Sequence, residues 1–84
     1  SVLKNEKSDP VTVSMNSKGE IYIQKKKISP DDLIKKLIAL KGQNKDLKIY
    51  IKGDKNLNYG KIMDLMSFIN KSGFKKVALV TKLK

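Results

Sequence analysis

One segment of the chain combines residue types that can do chemistry, the loop of residues 53–60 with the sequence Gly-Asp-Lys-Asn-Leu-Asn-Tyr-Gly. An enzyme could use Asp54 as a general base, with Lys55 or Tyr59 as an electrostatic helper. No second carboxylate, metal motif or phosphate-cradling glycine pattern accompanies Asp54, so support for catalysis is weak. Two alternatives stay open for this loop. It is either a structural turn, in which Asp54 receives backbone N–H groups and Tyr59 packs at a helix start, or a contact with a partner.

Histidine and cysteine are both absent from the 84 residues. Their absence removes the commonest general base near neutral pH and the usual ligands of zinc. Nucleophilic triads and zinc sites are therefore nearly excluded, and these 84 residues can form no disulfide. We predict no catalytic residue, no metal site and no cofactor, and the sequence favours a protein that works by binding a partner over an enzyme.

The chain is strongly basic, with a formal net charge of +11. All 19 basic residues are lysine, so the chain lacks the guanidinium groups that bind phosphate and guanine through two hydrogen bonds. A nucleic-acid hypothesis would use Tyr22 and Tyr50 as stacking platforms among neighbouring lysines. The element order derived below differs from that of the RNA-recognition motif, and two tyrosines that cover apolar neighbours are a simpler interpretation. We therefore expect no nucleic acid as a partner.

Composition divides the chain into a short lead and one domain. Residues 1–10 are polar and charged and predict a flexible linker, whereas residues 11–84 hold enough apolar side chains for one modest core. The longest uninterrupted apolar runs cover residues 37–40 and 77–80, far short of the roughly 20 residues needed to span a bilayer. If the protein is anchored in a membrane, we expect the anchor to lie outside this sequence.

Alternation of apolar and polar residues predicts three strands, and a continuous apolar run predicts a fourth. The pattern runs over residues 11–15 and again over residues 21–24, with Asn-Ser-Lys-Gly between them, which indicates a β-hairpin. Residues 25–27, three lysines, predict a solvated connection. Residues 47–52 predict a third strand, and residues 77–81, which are continuously apolar from 77 to 80, predict the last.

Capping residues and apolar stripes predict two helices. Ser29 is the expected N-cap of the first helix, Pro30 its first residue, and Gly42 its end. The second helix should run over residues 59–72, with Gly73 just beyond it. Its predicted buried side consists of Ile62, Met63, Leu65, Met66 and Ile69.

The element order is therefore β-β-α-β-α-β. It predicts an α/β (α+β) two-layer sandwich with one mixed sheet and both helices on one face of it. The other face of the sheet should be uncovered and polar. The last strand is the candidate edge strand, where a partner or a second copy of the chain could add a strand.

Over residues 11–81 the chain resembles the periplasmic domain of the ExbD/TolR family of inner-membrane energy-transducing proteins. The most specific motifs are Gly-Asp-Lys at 53–55 followed by Tyr-Gly at 59–60, Ile-Met-Asp-Leu-Met at 62–66, and Gly-Phe-Lys-Lys-Val-Ala-Leu-Val-Thr at 73–81. The family usually has Arg-Ala before the Asp-Lys pair and Val-Pro before Tyr-Gly, where this chain has Lys-Gly and Leu-Asn. The family's transmembrane helix, with its proton-carrying aspartate, is not within this sequence, so no proton-translocating residue can be named.

The resemblance implies the periplasmic part of a subunit driven by the proton-motive force, with a TonB-like protein and an ExbB-like membrane subunit as partners. An ExbD-like role, which we favour, helps energise outer-membrane transport of iron complexes and vitamin B12. The alternative is a TolR-like subunit of the Tol-Pal system for envelope integrity, for which peptidoglycan is a further contact. We also expect a homodimer. The residues predicted to bind partners are Asp54, Lys55, Tyr59, Val77, Leu79, Val80 and Thr81.

Overall fold

Five β-strands and two α-helices make up the computed structural model, which describes residues 10–54, 56 and 58–80. The strands are β1 (Val11–Met15), β2 (Ile21–Ile23), β3 (Lys26–Ile28), β4 (Ile49–Gly53) and β5 (Val77–Leu79). The helices are α1 (Pro30–Gln43) and α2 (Tyr59–Lys71). Apart from Pro10, the predicted linker falls outside the described residues.

One mixed sheet holds the strands in the order β3-β2-β1-β4-β5. β1 pairs antiparallel with β2 and parallel with β4, while β2 and β3 are antiparallel and β4 and β5 are parallel. The predicted α+β fold with a mixed sheet is therefore confirmed. β5 forms one edge of the sheet and β3 forms the other.

The core lies between the helices and one face of the sheet. The apolar residues of β1, β2 and β4 all point to this face, because side chains alternate along a strand. Residues from both helices pack into the same cluster, so α1 and α2 cover the same side. The most deeply buried side chains are Val13, Leu33, Leu37, Ile49, Ile51, Ile62 and Ile69.

The hairpin between β1 and β2 is closed by the side chain of Asn16. Its Oδ1 accepts hydrogen bonds from the backbone N–H groups of Lys18 (3.0 Å) and Glu20 (2.9 Å). Gly19 takes a φ of +86°, a conformation that glycine adopts without the steric cost that a Cβ brings. The turn chemistry of residues 16–19 therefore acts as predicted.

β3 is the main departure from the predicted fold, because residues 25–27 were expected to be only a solvated connection. Gln24 and Lys25 both have positive φ, 53° and 69°. A two-residue turn with positive φ at both positions is the type I′ hairpin turn, which matches the twist of the flanking strands. It returns the chain so that Lys27 lies opposite Tyr22 in the ladder.

The start of α1 is as predicted, and its end is not. Ser29 is the N-cap, and its side chain accepts a hydrogen bond from the backbone N–H of Asp32 at 3.2 Å. The helix continues past Gly42 to Gln43, so the prediction that Gly42 ends it is wrong. Asn44 caps the helix instead, because its N–H still donates to carbonyls of the last turn.

α2 ends one residue earlier than predicted, at Lys71, with Ser72 as its cap. Gly73 follows with a φ of +107°, the left-handed conformation expected after a helix. Met63 was predicted to be core but is 41% exposed, whereas Met66 packs against the core. Neither of the described helices is long and apolar enough to cross a membrane.

Candidate functional site

The loop after β4 is organised by Asp54. Its backbone N–H donates to the Met15 carbonyl at the end of β1 (3.0 Å), and its Oδ1 accepts from the backbone N–H of Asn56 (3.1 Å). The carboxylate therefore receives a backbone N–H group, which is the structural role that the sequence allowed. Lys55, the neighbouring candidate, lies outside the described residues.

Tyr59 begins α2 and is 55% exposed, so it does not pack at the helix start as the structural alternative expected. Asn58 is the N-cap, and its Oδ1 accepts from the N–H of Gly60 at 2.7 Å. The loop thus holds Tyr59 at the surface, where it can contact another molecule. In the described part of the chain, no group of three or more His, Cys, Asp or Glu residues could hold a metal ion.

The backbone N–H and C=O groups of β5 point alternately toward and away from β4. The Ile49 N–H donates to the Lys76 carbonyl (2.8 Å), and the Val80 N–H donates to the Ile51 carbonyl (3.0 Å). Successive residues of a strand direct their backbone groups to opposite sides. The backbone N–H and C=O groups of residues 76, 78 and 80 therefore face β4. Those of Val77 and Leu79 face outward, away from the sheet. We call these four outward groups the β5 edge.

The two edges of the sheet differ in their side chains. β3 consists of Lys26, Lys27 and Ile28, and charged lysines on an edge strand discourage pairing with another chain. β5 consists of Val77, Ala78 and Leu79 and carries no charge. Of the two described edges, β5 is therefore the one whose chemistry suits the addition of a strand.

A stripe on α2 extends the apolar surface beside β5. Tyr59, Met63, Met66 and Asn70 follow one another at spacings of four, three and four residues, so they share one side of the helix. The Asn70 Nδ2 donates to the Phe74 carbonyl (3.2 Å), so the C-terminal end of this side of α2 contacts the segment that leads into β5. The exposed Tyr59 and Met63 share this side of the helix.

The predicted site residues divide into two groups in the fold. Val77, Leu79 and Val80 lie together in or just after β5, whereas Asp54 lies in the loop that follows β4 and Tyr59 begins α2 at the end of that loop. Because β4 and β5 are parallel, that loop and the end of β5 lie at the same end of the sheet. Thr81 lies outside the described residues. The sequence did not indicate the exposure of Met63, because its helical spacing is that of a core residue.

The most perturbed carboxylate lies elsewhere, at the β1–β2 hairpin. Glu20 accepts hydrogen bonds from the Lys27 Nζ (2.8 Å) and the Asn16 Nδ2 (2.7 Å). These hydrogen bonds, together with the positive charge of Lys27, lower the pKa of Glu20 from 4.5 to about 2. The same contact raises the pKa of Lys27. Both side chains reach solvent, and the pair ties the end of the hairpin to β3.

Comparison with known proteins supplies the family. The family model described as biopolymer transport protein ExbD/TolR matches residues 2–84. The biopolymer transport protein ExbD of Pseudomonas aeruginosa is 30% identical over 81 residues, which cover 96% of this chain and 61% of that protein. The biopolymer transport protein ExbD of Escherichia coli K12 is 28% identical over 71 residues, 84% of this chain and 50% of that protein.

The chain spans between half and about three-fifths of the length of these two relatives. The family model covers nearly the whole chain, including both helices and all the described strands. The chain therefore belongs to the ExbD/TolR family of biopolymer transport proteins.

Proposed function

We propose that this domain is the periplasmic part of an ExbD-like subunit and that it binds a TonB-like protein by accepting one of its segments as an extra strand on β5. The observation that carries the proposal is the β5 edge, where Val77 and Leu79 direct backbone donors and acceptors away from the sheet. An extended peptide can satisfy these groups through main-chain hydrogen bonds.

The surroundings of the β5 edge favour a segment with alternating side chains. Residues of an added strand that point to the helix side would meet Met63 and Tyr59, which are 41% and 55% exposed. Residues on the other side would lie next to Ala78. The added strand would therefore gain apolar contacts on its helix side in addition to its backbone hydrogen bonds.

Membership of the family supports a wider role. The domain would act at the periplasmic face of the bacterial inner membrane, beside an ExbB-like membrane subunit driven by the proton-motive force. Coupling to the TonB-like protein would energise outer-membrane transport of iron complexes and vitamin B12. The ExbD names of the relatives favour this role over the TolR-like alternative in the Tol-Pal system.

A second copy of the chain is the other molecule that fits the β5 edge. Two β5 strands could pair across a two-fold axis, which makes the same backbone groups available for a homodimer. Binding of a TonB-like segment would then displace that pairing. Sedimentation velocity of the domain with and without a TonB-like peptide tests this, because the peptide should convert dimer to a monomeric complex.

Titration of the ¹⁵N-labelled domain with peptides from the periplasmic segment of a TonB-like protein tests the binding mode. We expect the largest shift changes in β5 and in the adjacent residues of β4 and α2. Shift changes confined to α1 would contradict strand addition at β5.

A pair of variants separates the backbone from the side chain at position 79. Leu79→Pro removes the outward N–H, and proline is tolerated on an edge strand where that group faces away from the sheet. Leu79→Ala removes more of the side chain than Leu79→Pro does but keeps the N–H donor, so it is the control for loss of the leucine side chain. We expect the proline variant to bind the peptide roughly tenfold more weakly than the alanine variant, because it loses a hydrogen bond and adds a ring at the contact. Equal affinities would show that the outward N–H of Leu79 is not used.

A further inference from the structure

The face of the sheet opposite the helices is uncovered and carries lysines and tyrosines. In the ladder, Lys27 lies opposite Tyr22, Tyr22 opposite Ser14, and Ser14 beside Lys52. Tyr50 lies between Thr12 and Ala78. We call this surface the open face; its members are Thr12, Ser14, Tyr22, Lys27, Lys48, Tyr50, Lys52, Ala78 and Val80.

The positive charge of the open face is only partly neutralised. Glu20 lies beside the open face and forms an ion pair with Lys27, whose Nζ is 2.8 Å from the Glu20 carboxylate. Lys48 and Lys52 are both exposed, and in the described part of the chain neither has an acidic partner. Lys76, by contrast, pairs with Asp46 at 3.3 Å. Two lysines of the open face are therefore available to pair with an anionic partner.

Apolar and aromatic surface accompanies these charges. Tyr50 lies between Lys48 and Lys52 on β4, and its ring is only half-buried. Ala78 is exposed next to it, and Val80, two residues further on, is 46% exposed on the same side. Tyrosine and the long stem of lysine each join an apolar body to a polar tip, which suits the boundary between headgroups and acyl chains.

We propose that the open face lies on a bilayer surface rich in anionic phospholipid headgroups. Lys48 and Lys52 contact the headgroup phosphates, while Tyr50 and Val80 lie at the headgroup level. Nucleic acid fits less well, because the chain has no arginine for bidentate phosphate contacts and because an exposed valine gains nothing from a phosphate backbone. The proposal does not depend on the β5 edge, since the backbone groups there point sideways in the plane of the sheet.

Sedimentation with vesicles tests the proposal. The chain should bind vesicles that contain phosphatidylglycerol, should bind vesicles of pure phosphatidylcholine far less, and should be released by salt. Lys48→Gln with Lys52→Gln should weaken binding roughly 30-fold, since each lysine near an anionic surface contributes about fivefold. Lys35→Gln with Lys36→Gln is the matched control, because it removes the same charge from exposed positions on α1.

Equal losses in the two double variants would overturn the proposal, because binding would then follow net charge alone. Absence of binding to the phosphatidylglycerol vesicles would overturn it as well. Tighter binding to a single-stranded oligonucleotide at the same salt concentration, with the same dependence on Lys48 and Lys52, would assign the open face to nucleic acid instead.

Fluorescence can report which face meets the bilayer, because the chain has no tryptophan. Tyr50→Trp places a single probe on the open face, and Tyr59→Trp places one on α2. With vesicles that contain brominated phosphatidylglycerol, we expect quenching of the probe at position 50 and little change at position 59. Stronger quenching at position 59 would reverse the proposed orientation and refute the assignment.

Discussion

Alanine substitutions at two glycines should change the free energy of unfolding in opposite directions. The difference between the two changes isolates the effect of the backbone conformation. Apart from its neighbours along the chain, a Cβ added to Gly42 or to Gly73 would meet no atom within 4 Å, so neither substitution creates a clash with the rest of the fold. Gly42 lies inside α1, whereas Gly73 has a φ of +107°. Steric surroundings are thus equal at the two positions, and only the backbone differs.

The expected magnitudes follow from that difference. Gly42→Ala should raise the free energy of unfolding by at most about 0.5–1 kcal/mol, because that is the cost of glycine relative to alanine in a helix interior and Gly42 is the next-to-last residue of α1. Gly73→Ala should lower it by about 1–2 kcal/mol, the cost of a left-handed conformation for a residue with a Cβ. Gly73 also leads into β5, and its carbonyl accepts a hydrogen bond from the Lys41 Nζ at 3.0 Å.

Urea unfolding followed by circular dichroism measures both effects. For a chain of this size the slope should be about 1 kcal/mol per molar urea. The midpoint should therefore rise by at most roughly 0.5–1 M for Gly42→Ala and fall by roughly 1–2 M for Gly73→Ala. A fall in the midpoint for Gly42→Ala would refute the placement of that residue inside the helix. An unchanged midpoint for Gly73→Ala would refute the left-handed turn before β5.

Two further predictions concern the hairpins. Lys25→Gly should stabilise the domain by about 0.5–1 kcal/mol because it relieves a positive φ, whereas Lys26→Gly in β3 should destabilise it by a similar amount. Thermal unfolding compares the two variants. Changes in stability of the same sign would contradict the type I′ turn. Because the pKa of Glu20 is lowered from 4.5 to about 2 in the folded domain, its contribution to stability is present above pH 4.5 and is lost as the pH falls toward 2. Glu20→Gln should therefore flatten the pH dependence of the urea midpoint in that window. An NMR titration of the Glu20 carboxyl should find its midpoint near 2 and a higher value in Lys27→Gln, and a midpoint near 4.5 in the unmodified chain would contradict the ion pair.

Features that depend on a residue and its near neighbours along the chain could be predicted from the sequence. The alternation in β1, the cap at Ser29 and the left-handed Gly73 belong to this class, because each is decided by neighbours along the chain. The order of strands and helices then fixed the fold class, since few topologies satisfy it.

β3 could not be predicted in this way. Its turn needs positive φ at Gln24 and Lys25, and neither residue type indicates that conformation as Asn-Gly would. Lys26 and Lys27 are typical of a solvated connection, and they form a strand only because β2 offers a partner. The pairing is a tertiary effect that outweighs local preference.

The candidate site was predictable in part. The apolar character of β5 and its place at the end of the element order indicated an edge strand, but the outward direction of Val77 and Leu79 depends on the register with β4. The exposure of Met63 has a similar origin. It lies on the same side of α2 as Asn70, which contacts the segment leading into β5, and beyond β5 the described part of the chain offers no further strand that could cover this side.

Amide hydrogen exchange at β5 tests the central claim most directly. In the free monomer, the amides of Val77 and Leu79 should exchange fast, while those of Ala78 and Val80, which face β4, should exchange slowly. A TonB-like peptide should protect Val77 and Leu79 and leave the amides of β3 unchanged. Fast exchange at Val77 and Leu79 that persists at saturating peptide would contradict strand addition at this edge.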